Sequence, residues 1–392
     1  MPSIINTFPE IPVAEDWTWL TDVMSTKNGT ESRLSLRPTP RSKLVLNYVA
    51  VEQDKRREFT EVFARDLRLP STVPVWPFAS RVTTDAAISA TKVFFDPVRV
   101  QLSALGIVVF VNPYTGEAVE YFVTSVDADG ANLAAPLAEA ITTQFFAIKG
   151  ITGLLANGQG FAWSQITGNL SVNVDSWDEP PVVRDNNAET VDTFDSLPII
   201  REPFFAEATE QFEFPREIID NNTGVRSISA RYLRVNISGN RKFKVDRGIN
   251  PQNKSYDYWS KFLDTVKGSW KPFLLSSRLN DLTLFTVLSQ GATTINVNEA
   301  YSHDLFLQWE GYRHFEILYS DGTFSEHTVT NSVDNTTHAQ ITFTPALPSD
   351  PKVNNVDRVS YLLKVRMSDN IKWEHFALES ELSFNIVTTD NG

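Results

Sequence analysis

Apolar and polar residues alternate with a period of two over several short stretches of this chain, the pattern of strands that bury one face. Arg33-Leu34-Ser35-Leu36-Arg37 is one such stretch, and after a turn at Pro38 and Pro40 the run from Lys43 to Val49 is a second. Later in the chain Arg231 to Ile237 and Lys242 to Val245 make the same pair, with Ser238-Gly239-Asn240 between them as good turn chemistry. A different period follows each pair. Phe59 and Phe63 stand four apart within Lys55 to Leu67, and Tyr258 and Phe262 four apart within Ser255 to Val266. That spacing predicts helices over about 54–67 and 255–267, each presenting one aromatic face.

After each helix comes a strand led by tryptophan, proline and phenylalanine: Trp76-Pro77-Phe78, and Trp270-Lys271-Pro272-Phe273. Further on, Val123-Thr124-Ser125-Val126-Asp127 precedes Ala135-Pro136-Leu137, and Val329-Thr330-Asn331-Ser332-Val333-Asp334 precedes Thr344-Pro345-Ala346-Leu347. The same order in both halves reads as an internal duplication. The predicted fold is therefore mainly β with short helices, a β-dominated α+β chain of two tandem barrel or sandwich units at 1–180 and 198–392. An acidic, Pro- and Asn-containing linker is expected at 181–197. The matched aromatics Phe59, Phe63, Trp76, Phe78, Tyr258, Phe262, Trp270 and Phe273 are the expected core anchors.

A length of 392 residues suits two domains, and 42% hydrophobic with 21% charged residues is the balance of a globular protein. The longest apolar runs, such as Leu105 to Val111, fall well short of the roughly 20 residues of a membrane helix, so no membrane insertion is expected. Met1 to Glu10 has no basic segment leading into an apolar one, which predicts a protein made and used without secretion. With no cysteine, disulfides, thiolate nucleophiles and cysteine-ligated metals are excluded. The net charge of −13 argues against tight binding to a nucleic-acid backbone, while an acidic wall would suit a conduit that DNA passes without sticking.

Two strands, a helix with an aromatic face and a return strand after a bulky aromatic resemble the tail-tube and distal-tail module of siphoviruses, the long-tailed bacteriophages. The segment Asn28-Gly29-Thr30-Glu31-Ser32-Arg33 is similar to the Gly-x-Glu-x-Arg segment of phage minor tail proteins, the lambda minor tail protein family among them. Pro198-Ile199-Ile200-Arg201-Glu202-Pro203-Phe204 and Asp220-Asn221-Asn222-Thr223-Gly224 resemble the opening of related tail domains. Val359 to Asp369 followed by Ile371-Lys372-Trp373-Glu374-His375 resembles their closing strands, and Asp321-Gly322-Thr323 reads as a hairpin turn. The resemblance implies a homo-oligomeric ring, a trimer or a hexamer, lining a DNA channel in the virion. Its partners would be the tail tube protein and tip or hub proteins, with assembly in the host cytoplasm.

Candidate chemistry is thin. The histidines His303, His314, His327, His338 and His375 form no His-Glu-x-x-His pattern and read as strand-face residues, so no metal is expected. No serine sits in a Gly-x-Ser-x-Gly elbow, Asp127-Ala128-Asp129-Gly130 reads as a turn rather than a calcium loop, and Gly158-Gln159-Gly160 as a loop rather than a phosphate cradle. The sharpest enzyme-like fragment is Asp175-Ser176-Trp177-Asp178-Glu179, paired carboxylates beside an aromatic, at the edge of the linker. The expectation is a structural protein without cofactor or catalytic residues. A receptor- or glycan-binding tail protein is the alternative, and a depolymerase using Asp175 and Asp178 stands behind it.

Overall fold

The computed structural model describes residues 8–389 except 26–30, 51–59, 61–70, 103, 156–159, 164–167, 177–189, 205–208, 214–215, 221–225, 231–235, 247–252, 300–301, 303–305, 307–308 and 378. Strands dominate, as the alternating pattern predicts; besides the helical Thr60, the described residues include two helices, and the sheets are antiparallel except where β14 pairs with β19 in parallel, and are not closed into a barrel.

The N-terminal half runs β1 (Val13–Thr18), β2 (Thr21–Ser25), β3 (Glu31–Ser35), β4 (Arg41–Ala50), β5 (Ser71–Arg81), β6 (Lys92–Phe94) and a one-turn helix α1 (Pro97–Val100). It continues through β7 (Ile107–Val111), β8 (Ala118–Asp127), β9 (Gly130–Leu133), β10 (Phe146–Leu155), β11 (Gly160–Trp163) and β12 (Gly168–Ser176). The C-terminal half begins with β13 (Thr193–Phe194), β14 (Leu197–Ile200), β15 (Thr209–Glu213), β16 (Arg216–Asp220), β17 (Arg226–Ala230), β18 (Asn236–Asp246) and helix α2 (Tyr256–Val266). Then come β19 (Phe273–Ser276), β20 (Thr294–Val297), β21 (His314–Tyr319), β22 (Phe324–Asp334), β23 (Ala339–Thr344), β24 (Val356–His375) and β25 (Glu379–Thr388).

One pairing scheme occurs twice. In the N-terminal half β4 lies between β1 and β12, β12 pairs with β10, and β10 is flanked by β5 and β7, from which β8, β9 and β6 follow in order. In the C-terminal half β18 lies between β15 and β25, β25 pairs with β24, and β24 is flanked by β19 and β21, from which β22, β23 and β20 follow. Hairpins β2–β3 and β16–β17 leave at the same place. Irregularities recur as well: β8 bulges between Val123 and Ser125, and β22 between Val329 and Asn331. The residue inside each bulge is a threonine whose hydroxyl donates to the facing strand's carbonyl, Thr124 to Asn132 at 3.1 Å and Thr330 to Thr342 at 3.2 Å. Leu137 and Leu347, both buried, then hydrogen-bond to Ala90 and Ala292.

Three expectations change. Ser238-Gly239-Asn240 is no turn but the middle of β18, paired with β25 on one side and β15 on the other. The glycine serves close approach instead: a Cβ there would stand 2.2 Å from the Thr209 carbonyl oxygen. Gly239→Ala is therefore expected to lift β15 off β18, seen as faster amide exchange at Thr209–Glu213 while α2 stays protected.

The two Trp-Pro-Phe segments are not counterparts. Pro74 faces Gly150 and Ser276 faces Leu362, and Gly150 and Leu362 in turn face the first residues of β7 and β21. Trp76-Pro77-Phe78 thus lies in a bulge of β5, where a residue without an N–H is tolerated, whereas Phe273 opens β19. The end of the expected linker is also ordered: Thr193–Phe194 and Leu197–Pro198 form a tight hairpin around Asp195 and Ser196, both with positive φ. Arg201 clamps this segment through Asp192, the buried Glu316 at 2.8 Å and Glu326.

Helix α2 starts where the Ser255 hydroxyl accepts the Tyr258 N–H at 3.0 Å and ends in the left-handed pair Lys267 and Gly268. It buries Tyr256, Tyr258, Trp259, Phe262, Leu263 and Val266. Of the other expected helix only Thr60, which is helical, is described, so Phe59 and Phe63 lie outside the described residues. The main core does not respect the two halves: one buried cluster runs from Val13, Trp17, Leu46, Tyr48 and Phe78 to Phe243, Phe262, Phe273 and Phe384. A smaller one, including Phe95, Phe110 and Ile141, belongs to the N-terminal half alone. No helix among the described residues is long and apolar enough to cross a membrane.

Candidate functional site at the strand junction

The halves meet where β1 adds to the last third of β24, antiparallel, with Val13 opposite His375 and Thr18 opposite Asn370. On β1 the inward positions are Val13, Glu15 and Trp17; on this stretch of β24 they are Ile371, Trp373 and His375. A carboxylate and an imidazole thus occupy core positions on neighbouring strands, and each must find partners there or cost several kcal/mol.

Both do. One Glu15 oxygen accepts the Trp17 indole N–H at 2.7 Å and the Ser42 hydroxyl at 2.6 Å, and the other accepts His375 Nε2–H at 3.0 Å. His375 Nδ1 is 2.9 Å from the Ser380 hydroxyl. Burial alone would raise the Glu15 pKa, but the hydrogen bond and charge of His375, the charge of Lys149 and the Ser42 hydroxyl hold it down at about 2. Strands β1, β4, β24 and β25 are fastened by this one cluster.

Ser380, His375 and Glu15 have the connectivity of a nucleophile, a base and an orienting acid, and no motif in the sequence marks them. All three are buried, so the hydroxyl faces other side chains rather than solvent. In this setting the array crosslinks strands.

Aromatic rings close around it. Tyr256, in the first turn of α2, lies 4.8 Å from Trp373, 5.5 Å from Phe78 and 6.4 Å from Trp17, centroid to centroid. Phe78 also packs on His375 at 4.8 Å. A second fastening is Asp369, in the β24 bulge, whose carboxylate accepts Ser269 N–H at 2.9 Å and the Thr21 hydroxyl at 3.2 Å, while its carbonyl accepts Trp19 N–H at 3.1 Å. Gly268 permits this approach, since a Cβ there would stand 2.9 Å from the Asp369 carboxylate.

The sequence-predicted anchors divide accordingly. Phe78 comes to the junction; Tyr258, Phe262 and Phe273 are buried in the core, with Phe262 and Phe273 in edge contact at 5.2 Å. Trp76 and Trp270 are half-buried, Trp76 against Phe8 at 5.0 Å and Trp270 beneath the Lys271 ammonium at 4.5 Å. The histidines do not converge: His314, His327 and His375 are strand residues, His338 stacks on Phe285 at 4.6 Å, and His303 lies outside the described residues. Among the described residues no group of three His, Asp or Glu is placed to hold a metal. Asp175 is an exposed residue of β12, and Trp177, Asp178 and Glu179 lie outside the described residues. Asp127, which ends β8, and Asp129, in the turn after it, are bridged by Lys92 at 2.8 and 2.9 Å.

In sequence the chain matches no family model and no curated protein.

Proposed function

We propose that this chain is a structural virion protein of a long-tailed phage. In this reading it forms a ring at the distal end of the tail, joins the tube to tip and hub proteins, and lines the channel through which DNA passes. It acts by shape, without cofactor or catalysis. The observation that carries the reading is the sheet across the junction: β15, β18, β25, β24, β1, β4, β12 and β11 run on as eight antiparallel strands, four from each half. A repeated sheet whose end strands have one partner each among the described residues is a hazard as a monomer and a building block in an assembly. Three chains would supply six such repeats and six chains twelve, which are the trimeric and hexameric forms of the ring. The net charge of −13 fits a wall that DNA must slide past.

Native mass measurement with negative-stain imaging of the purified protein tests this. Annular particles of three or six copies are the expected result; a monomer with no annular species at tens of micromolar would overturn it.

A further inference from the structure

The internal junction also specifies an external one. Counting on from Gly150 and Leu362, Leu154 and Arg366 correspond and pair with Asp175 and Val387. Asn173 of β12 and Asn385 of β25 are therefore counterparts, and so are Val45 on β4 and Asn240 on β18, which face them. Val45 pairs with Ala14 and Asn240 with Thr209, so β15 stands in the C-terminal half where β1 stands in the N-terminal half, with Phe212 in the place of Trp17. On the other side, Asn169 of β12 and Glu381 of β25 are counterparts through Val49 and Lys244. Asn169 pairs with Ala162 and Glu381 with Glu374, so β11 corresponds to the stretch of β24 that covers β1.

The correspondence breaks at one point. β1 is paired along two edges, with β4 and β24, whereas β15 pairs only with β18 and β11 only with β12 among the described residues. Thr209, Glu210, Gln211 and Phe212 are all exposed, and Phe212 is 57% exposed where its counterpart Trp17 is 7% exposed. β15 carries no proline, no lysine and no bulge to guard a free edge; its charges are Glu210, which pairs with Arg241, and Glu213.

We infer that a second copy of this chain adds its β11 to the free edge of β15, antiparallel, in the register that β24 takes on β1. Since Ala14 faces Glu374 and Glu15 faces Trp373 within the chain, Thr209 faces Ala162 of the next copy and Glu210 faces its Phe161. Phe212 is then covered as Trp17 is. The contact is head-to-tail, so each copy has one edge of each kind and internal and external junctions alternate around the assembly. It rests on the reading that the chain assembles with itself, and it names the edges and the register of that assembly.

The chain has no cysteine, so introduced thiols are unique. Thr209→Cys and Ala162→Cys are made as separate single variants, mixed, and oxidised or treated with a short bismaleimide. Within one chain the two positions are separated by seven strand spacings, roughly 34 Å, too far for such a link. A covalent dimer that appears in the mixture and in neither variant alone is the expected result. The double variant Ala14→Cys/Glu374→Cys, which should close an intrachain link, calibrates the geometry. Phe212→Glu should weaken self-association by roughly thirtyfold or more, as loss of a central aromatic anchor does, with an unchanged circular dichroism spectrum because the side chain is exposed in the single chain.

The outcomes separate. Rings without the mixed crosslink, and with Phe212→Glu assembling normally, would overturn this junction and leave the ring reading standing. The crosslink in open filaments would support the junction and count against the ring. A wild-type chain that remains monomeric at every concentration would overturn both.

Discussion

Glu15→Ala is expected to destabilise the protein by about 3–5 kcal/mol, the cost of removing one partner from a buried charged cluster. The loss exceeds one hydrogen bond because three groups depend on the carboxylate: the Trp17 indole, the Ser42 hydroxyl and the His375 imidazole all point at it. None of them has water to turn to, since His375 is fully buried and Ser42 nearly so. Urea unfolding at pH 7 measures the effect, and a loss below about 1 kcal/mol would mean that the cluster relaxes around the gap.

The same carboxylate has a pH signature. Its pKa is about 2 in the folded chain against an ordinary 4.5, so its contribution is complete above about pH 4.5 and is lost as the pH falls towards 2. At about 1.4 kcal/mol per unit this amounts to on the order of 3 kcal/mol. His327 titrates in a separate window: burial pushes its pKa down from 6.5 to about 4, its Nδ1–H donating to the Pro345 carbonyl at 2.8 Å. Unfolding exposes a histidine that binds a proton more readily, so that loss runs from pH 6.5 down to 4. Glu15→Gln should therefore flatten the stability profile between pH 4.5 and 2 and leave the step between 6.5 and 4 in place. A profile parallel to wild type over the lower window would show that Glu15 is not held ionised.

These residues also show what the sequence could and could not reveal. Helix α2 was legible because its cause is local: aromatics four apart behind a serine cap. Alternation marks strands for the same reason, and the Val-Thr order at 123 and 329 is common to both halves, although nothing in it marks the shared bulge. The junction has no local cause. Glu15 and His375 stand 360 residues apart, and each looks ordinary in its own segment. The one available signal was a carboxylate at an inward position, between Val13 and Trp17, in a strand that alternation alone would have marked. Gly239 misled because glycine serves turns and close backbone approach equally well. The Trp-Pro-Phe likeness misled because composition carries no register: one copy sits in a bulge and the other ends on the first residue of a strand.

The second large effect is expected at Tyr256. Truncation to alanine should cost about 3–5 kcal/mol, as for other fully buried aromatics, but its consequence for cooperativity is more specific. Tyr256 belongs to the C-terminal half, and its ring packs on Trp17 and Phe78 of the N-terminal half as well as on Trp373. With one core cluster running through both halves, the wild-type chain should unfold in a single transition by fluorescence and circular dichroism alike. Tyr256→Ala removes the ring that joins them and should divide that transition into two. Phe110→Ala, a comparable truncation inside the separate cluster of the N-terminal half, should lower stability without the same division at the junction. A double-mutant cycle between Tyr256 and Phe78 should return a coupling of about 0.5–3 kcal/mol. Additivity within about 0.3 kcal/mol, together with a transition that stays single in Tyr256→Ala, would mean that the halves are held by the backbone pairing of β1 with β24 and not by the rings packed over it.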